Sequence, residues 1–175
     1  MISVIIPTYN HLKDCLEPCL ESLLKYTDLS NLEIIVVANG CRDNTVSYLR
    51  RLDKKHKGLF KIHVEKDAIG YTRATNIGMK MAKGEKLLLL NNDTVILEQE
   101  PNTWINILLS GFAKPQVGIT APLINYSDTA GMEFAVFFCA MIDRRVVDKI
   151  GYLDEIFSPG SGEDVDRNDR GGAAV

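Results

Sequence analysis

Residues 86–94 read Lys-Leu-Leu-Leu-Leu-Asn-Asn-Asp-Thr, an apolar run that stops abruptly on three polar side chains. Four leucines are too few to span a membrane, and they suit a strand buried on both faces of a parallel sheet. In open α/β sheets the ligand lies in the crevice beyond the carboxyl ends of the strands. Asp93 placed there, flanked by the amides of Asn91 and Asn92, suits a hard divalent cation, Mn²⁺ or Mg²⁺, that keeps waters and borrows oxygens from a substrate diphosphate. The same three residues would equally make a polar turn closing a core strand. The other strand ends decide between the two.

The chain alternates strand and helix. Ile2–Ile6 is a first strand ended by Pro7, and the turn Pro7-Thr8-Tyr9-Asn10 follows it. A helix runs from near Asp14 to about Tyr26, with Leu16, Leu20, Leu23 and Leu24 on one face and Asp14 and Glu17 in capping-box relation. Leu32–Val37 is the second strand and ends in Ala38-Asn39-Gly40-Cys41-Arg42-Asp43; Asn44 or Thr45 then caps a helix reaching to about Lys57. Phe60–Val64 alternates as a third strand, and Gly70–Lys83 forms the next helix, with Gly84 as its carboxyl-terminal cap before Leu87–Leu90. Strand–helix–strand at this rhythm implies right-handed parallel crossovers and a single doubly wound, mostly parallel sheet flanked by helices. Such a sheet delivers Pro-Thr-Tyr-Asn, Ala-Asn-Gly-Cys-Arg-Asp and Asn-Asn-Asp to one rim. Three polar clusters on one rim favour a binding crevice over three ordinary turns.

The pattern loosens after Thr94. Residues 103–109 read as a helix, 117–123 and 133–142 as strands, and 144–150 as a short helix ended by Gly151. Gly160 and Gly162 would let a loop approach a ligand closely, and Glu163, Asp164 and Asp166 follow at once. Those carboxylates suit either the start of an acidic helix or a general base facing the cation site.

Several classes fall away on composition and motif. At 175 residues and 46% hydrophobic content the chain is expected to form one soluble domain, and its net charge of −3 carries no nucleic-acid footprint. The basic run at residues 50–57 reads as a solvated helix end. Cys15, Cys19, Cys41 and Cys139 lack C-x-x-C spacing, and no signal peptide opens the chain, so reduced thiols in a cytoplasmic protein are expected. The longest apolar run, Phe134 to Ile142, is only half a membrane span, which leaves peripheral association with the inner face of a membrane as the one membrane role. There is no G-x-x-x-x-G-K-[ST], and no G-x-G-x-x-G follows the first strand, against a P-loop NTPase and a dinucleotide oxidoreductase.

Five stretches in order, Ile2–Asn10, Glu33–Thr45, Gly70–Gly78 (G-Y-T-R-A-T-N-I-G), Leu87–Thr94 and Gly151–Asp166, resemble the family-two glycosyltransferases, with their A-type nucleotide-binding fold. The N-N-D-T form and the A-P-L-I-N-Y stretch resemble the rhamnosyltransferase-like branch. The resemblance implies that Asp93 takes the metal-binding last position of the family's D-x-D motif, with Asn91 in the first. It implies that Pro7, Thr8 and Tyr9 form the turn against the nucleotide base, with Asn39 and Asn92 beside it. Glu163-Asp164 matches the pair that supplies the catalytic base, and Asp164, the shorter side chain at a helix entrance, is preferred over Glu163.

The implied activity is inverting transfer of a sugar from a nucleoside-diphosphate sugar to a hydroxyl of a cell-surface glycan or lipid-linked acceptor. Two departures stand beside it: Ala38 replaces an acid common in users of UDP-sugars, and the chain stops soon after the E-D pair. The expectation is a nucleotide-binding half over 1–94 and a shortened acceptor half over 95–175. A binding-only relative without an acceptor side is the alternative, and a nucleotidyltransferase is weaker because its glycine-rich, basic loop is missing.

Overall fold

Alternate residues of the strands point into two separate apolar layers, which is what a sheet covered on both faces requires. A computed structural model of the protein describes residues 1–123, 135–160, 162, 163 and 166. Its strands are β1 (Ile2–Thr8), β2 (Leu32–Asn39), β3 (Phe60–Glu65), β4 (Lys86–Leu90), β5 (Ile119–Thr120) and β6 (Cys139–Asp143). Between them lie α1 (Glu17–Lys25), α2 (Thr45–Lys55), α3 (Tyr71–Met81), α4 (Thr103–Gly111) and, after β6, α5 (Arg144–Ile150). Val4, Ile6, Ile34, Val36, Leu88 and Leu90 face α1, α2 and α4; Ile5, Ile35, Val37, Leu87 and Leu89 face α3 and α5.

The strand order is β3-β2-β1-β4-β6-β5. The first four strands are parallel, with Thr8 opposite Ala38 and Asn39 opposite Glu65, so their polar ends do share one rim. The sheet is mixed beyond β4. β6 runs antiparallel to it, and the two-residue β5 runs antiparallel to β6. The start of β6 therefore sits on the same rim, where the Asn91 N–H donates to the Phe138 carbonyl at 2.8 Å. Of the strand expected over 117–123, only Ile119–Thr120 pairs. Of that expected over 133–142, residues 133 and 134 lie outside the described part, and pairing begins at Cys139.

Two helix ends differ from expectation, each for a local reason. The Asp14–Glu17 capping box does not form: Asp14 meets His11 Nδ1 at 3.1 Å, and Glu17 pairs with Lys13 at 2.7 Å. The chain enters in left-handed conformations at Asn10 and His11, and the His11 carbonyl accepts from both Cys15 and Leu16, a wide first turn ahead of Pro18, which has no N–H to close a regular one. α3 stops at Met81 because the next amides are taken by strand side chains, Lys83 N–H by Glu33 (2.6 Å) and Gly84 N–H by Ser3 Oγ (2.8 Å). Gly84 is not a left-handed cap. A Cβ there would stand 2.7 Å from the Ser3 nitrogen, so glycine is required for the close approach to β1.

The mixed half is fastened by Asp143. This carboxylate, buried at the end of β6, pairs with Lys86, its register partner on β4, caps α5 through the Arg145 N–H (2.9 Å), and meets the Arg145 guanidinium at 3.0 Å. Burial pushes its pKa up, but the hydrogen bonds from Arg145 and Lys86 outweigh this and hold it below the usual carboxylate range. Asp143→Ala is expected to cost about 3 kcal/mol, because it strands the Lys86 ammonium and removes a cap. A depressed folded-state pKa stabilises above the ordinary carboxylate value and loses that contribution as pH falls through the folded-state value. The gap in urea midpoint between the unmodified and variant proteins is therefore expected to be largest near neutrality and to close in acid below about pH 4. A gap independent of pH would remove the ion pair as its cause.

Candidate functional site

The carboxyl ends of β1, β2 and β4 open on a cavity of about 510 Å³ lined by Pro7, Thr8, Tyr9, Asn39, Asn92 and Asp93, with His11, Cys15, Ala68, Gly70, Tyr71 and Pro159 completing it. Six of the seven residues read from the sequence as the nucleotide and metal side thus meet in one place; the seventh, Asn91, lines the adjoining cavity instead. Tyr9 stands 52% exposed at its mouth, an aromatic face open to a planar ligand. The rim is stitched across strands: Asn92 Nδ2 donates to Thr8 Oγ1 (2.9 Å), the Arg42 N–H to Asn10 Oδ1 (2.8 Å), and the Leu12 N–H to Asp43 (3.2 Å). Asp43 also accepts from the Thr45 N–H at 3.1 Å, so Asp43, not Asn44 or Thr45, supplies the side-chain cap of α2.

Asn39 is nearly buried, and both ends of its amide are engaged. Its Oδ1 accepts from the Ile69 N–H at 2.7 Å and its Nδ2 donates to the Gly70 carbonyl at 3.3 Å. Asn39 thus lines the cavity and at the same time holds the loop that enters α3. Gly70 has φ of +86°, and a Cβ there would fall 2.6 Å from Pro159 Cα, so this loop passes against residues 158–160 as only glycine can.

A second cavity of about 360 Å³ lies on the other side of Tyr71, lined by Asn91, residues 136–138, Gly160 and Glu163. Glu163 is 8% exposed, a carboxylate delivered by the segment after α5 to the flank of the first cavity. Asp164 lies outside the described residues. Sequence reasoning missed Tyr71 and Pro159, which line the first cavity. Both lie within the five stretches, Tyr71 in Gly70–Gly78 and Pro159 in Gly151–Asp166, but what brings Pro159 against Gly70 is tertiary packing.

The donor set for a cation is partial. Among the described residues no three of His, Cys, Asp and Glu are grouped to cage an ion. Asp93 is a solvent-exposed carboxylate on the cavity wall, and Asn91 Oδ1 is buried with no hydrogen-bond partner. Both are hard oxygen donors, and a site with so few suits a cation that completes its shell from water and substrate phosphates. Of the nearby thiols, burial pushes Cys19 up to about 12, and Cys15 on the cavity wall is raised by burial and by Asp14 and Asp93.

A sequence model described as glycosyl transferase family 2 matches residues 3–128. The chain belongs to that family. Among relatives of this family-two glycosyltransferase domain, glycosyltransferase GlyG of Streptococcus pneumoniae serotype 4 is 34% identical over 98 residues, covering 56% of this chain and 32% of GlyG. The poly(ribitol-phosphate) beta-glucosyltransferase of Bacillus spizizenii is 31% identical over 106 residues, covering 60% and 17%. In three dimensions the domain is similar to a mannosyltransferase of Pyrobaculum calidifontis in complex with GDP-Man and Mn²⁺, with TM-score 0.74, 22% identity, and coverage of 93% of this chain and 49% of that one. It is also similar to S. aureus TarS in complex with UDP, with TM-score 0.69, 19% identity, and coverage of 93% and 52%. The fold is therefore the A-type nucleotide-sugar transferase fold. The domain spans about half the length of these solved neighbours and a third or less of the two curated relatives. No described helix is long and apolar enough to cross a membrane.

Proposed function

We propose that the chain transfers a sugar from a nucleoside-diphosphate sugar to a hydroxyl of a glycan or lipid-linked acceptor in cell-envelope polysaccharide assembly, with inversion. The observation that carries this is the pair of adjoining cavities, one holding Tyr9 and Asp93 and the other Glu163, divided by Tyr71. The likeness to proteins bound to GDP-Man and to UDP supports a nucleotide-sugar donor, and the N-N-D-T form supports the rhamnosyltransferase-like branch.

In this scheme the nucleotide base lies against Tyr9 in the turn Pro7-Thr8-Tyr9, and Asn92 fixes that turn through Thr8. Asp93, with Asn91 as a second oxygen donor, would hold a divalent cation, Mn²⁺ or Mg²⁺, which when bound neutralises charge on the departing diphosphate. On the opposite face of the sugar a carboxylate of Glu163-Asp164 takes the proton of the acceptor hydroxyl. The hydroxyl oxygen forms its bond to the anomeric carbon as the bond to the diphosphate oxygen breaks. The base must stand away from the diphosphate, and Glu163 lies in a different cavity from Asp93.

The test is release of nucleoside diphosphate from a panel of UDP-, dTDP- and GDP-sugars with and without Mn²⁺. Metal-dependent release is expected from one base class. Metal-dependent binding without release would favour a binding-only relative instead, and no binding of any of the three would overturn the proposal.

Asn39 yields a separate expectation about donor choice. With its amide engaged by residues 69 and 70, Asn39→Ala is expected to weaken UDP, dTDP and GDP alike, by about tenfold, the cost of leaving buried backbone groups unpaired. Competition binding checks this: a changed ranking of the three diphosphates would return Asn39 to direct contact with the base.

A further inference from the structure

Asn76 sits in the middle of α3 and is 2% exposed. Its Oδ1 accepts from the Leu153 N–H and its Nδ2 donates to the Leu153 carbonyl, both at 2.9 Å. An asparagine side chain offers the same donor and acceptor as a peptide group, and here it pairs with one as a neighbouring strand would. Two weaker contacts reinforce the join: Asn76 Nδ2 lies 3.4 Å from Glu155 Oε1, and Arg73 Nε 3.4 Å from Glu155 Oε2.

From there the segment is fastened again at the entry of α3. Ser158 Oγ donates to the Ile69 carbonyl at 3.3 Å, and the Tyr71 N–H donates to the Pro159 carbonyl at 2.5 Å. Residues 153–159 are thus held at both ends by α3 and its entry loop, and a single 3-10 turn, Glu155–Phe157, bridges the two. What this segment carries is the site itself: Pro159 lines the first cavity, and Gly160 and Glu163 line the second. Asn76 touches neither cavity.

We infer that Asn76 is a positioning residue: by fixing Leu153 on α3 it sets where Pro159 and Glu163 stand relative to Asp93. The inference rests on the reading of the two cavities as a sugar-transfer centre. A purely structural asparagine would affect stability alone, whereas a positioning one must move turnover in folded protein. Asn76→Ala leaves the Leu153 N–H and C=O without partners. Displacement of a reacting group by about 1 Å costs on the order of 10² in rate, so kcat is expected to fall by about ten- to a hundredfold. KM for the donor should stay within about threefold, since Tyr9 and Asp93 stand on other elements.

Asn76→Asp supplies a conservative, pH-dependent rescue. Ionised, its second oxygen faces the Leu153 carbonyl and repels it; protonated, it accepts from the N–H and donates to the carbonyl, restoring both bonds. The ratio of its turnover to that of the unmodified protein is therefore expected to rise as pH falls.

The closing experiment adds amide hydrogen exchange on the 175-residue chain. Exchange in peptides spanning 151–160 should quicken in Asn76→Ala, slow again in Asn76→Asp at acid pH, and stay unchanged over β1–β4. Unchanged exchange at 151–160 overturns the positioning role whatever turnover does. Quickened exchange with undiminished kcat overturns it as well. An unmodified chain that transfers no sugar overturns the proposed function instead, and the exchange arm still decides whether Asn76 holds the segment.

Discussion

Asp93→Ala is expected to abolish metal-dependent nucleotide binding. In calorimetry with Mn²⁺ present, affinity for the preferred nucleoside diphosphate should fall by roughly 10²–10³, the several kcal/mol a cation contributes to holding phosphoryl oxygens. The fold should be untouched, because Asp93 is exposed at a strand end and takes no part in either apolar layer. Asn91→Ala should be milder. An amide oxygen gives a hard cation less than a carboxylate, and Asn91 Oδ1 gives up no protein hydrogen bond. Equal affinity with and without metal in the unmodified protein would defeat the scheme at its base, since Asp93 would then have nothing to hold.

The second large effect is expected at the Glu163-Asp164 pair. Asp164→Asn is expected to lower transfer by about 10²–10⁴ while donor and metal affinity stay nearly constant, because the amide keeps the shape and loses the proton acceptor. Glu163→Gln should cost less. Glu163 is nine-tenths buried in the second cavity wall, where a long side chain serves packing and hydrogen bonding as readily as proton transfer. Steady-state turnover paired with binding of the bare diphosphate separates the two carboxylates. If Glu163→Gln proves the more damaging, the general base is Glu163.

Much of this geometry was legible because a buried parallel sheet constrains its sequence tightly. Val4 and Ile6 go to one layer and Ile5 to the other, so the register of β1 follows from alternation. Once β1, β2 and β4 are parallel, Pro7, Asn39 and Asp93 must share a rim. The direction of β6 was not legible, since Cys139–Asp143 is as apolar as its neighbours and nothing in such a run says which way it points. Side-chain engagement was equally hidden. Asn39 reads as a free amide at a strand end, and only the packed loop shows both of its ends engaged with residues 69 and 70. Asn76 and Leu153 are 77 positions apart, and no local pattern announces a pairing across that distance. Gly84 followed the pattern of a helix cap, but the close passage of β1 is what demands it.

The antiparallel turn of the sheet at β6 bears on how such a domain can be divided. The residues proposed to hold the donor fall before residue 95, with Pro159 alone among the described residues reaching their cavity from the later half, which invites treating that stretch as a portable nucleotide-binding module. Cutting the chain there would strip β6 from β4 and leave a leucine-rich strand as a bare outer edge, with Lys86 deprived of Asp143. An exposed apolar edge of that kind recruits other chains. The later half therefore covers the open edge of the earlier one, and grafts or chimaeras should carry β6 and α5 along with the rim they are meant to transplant.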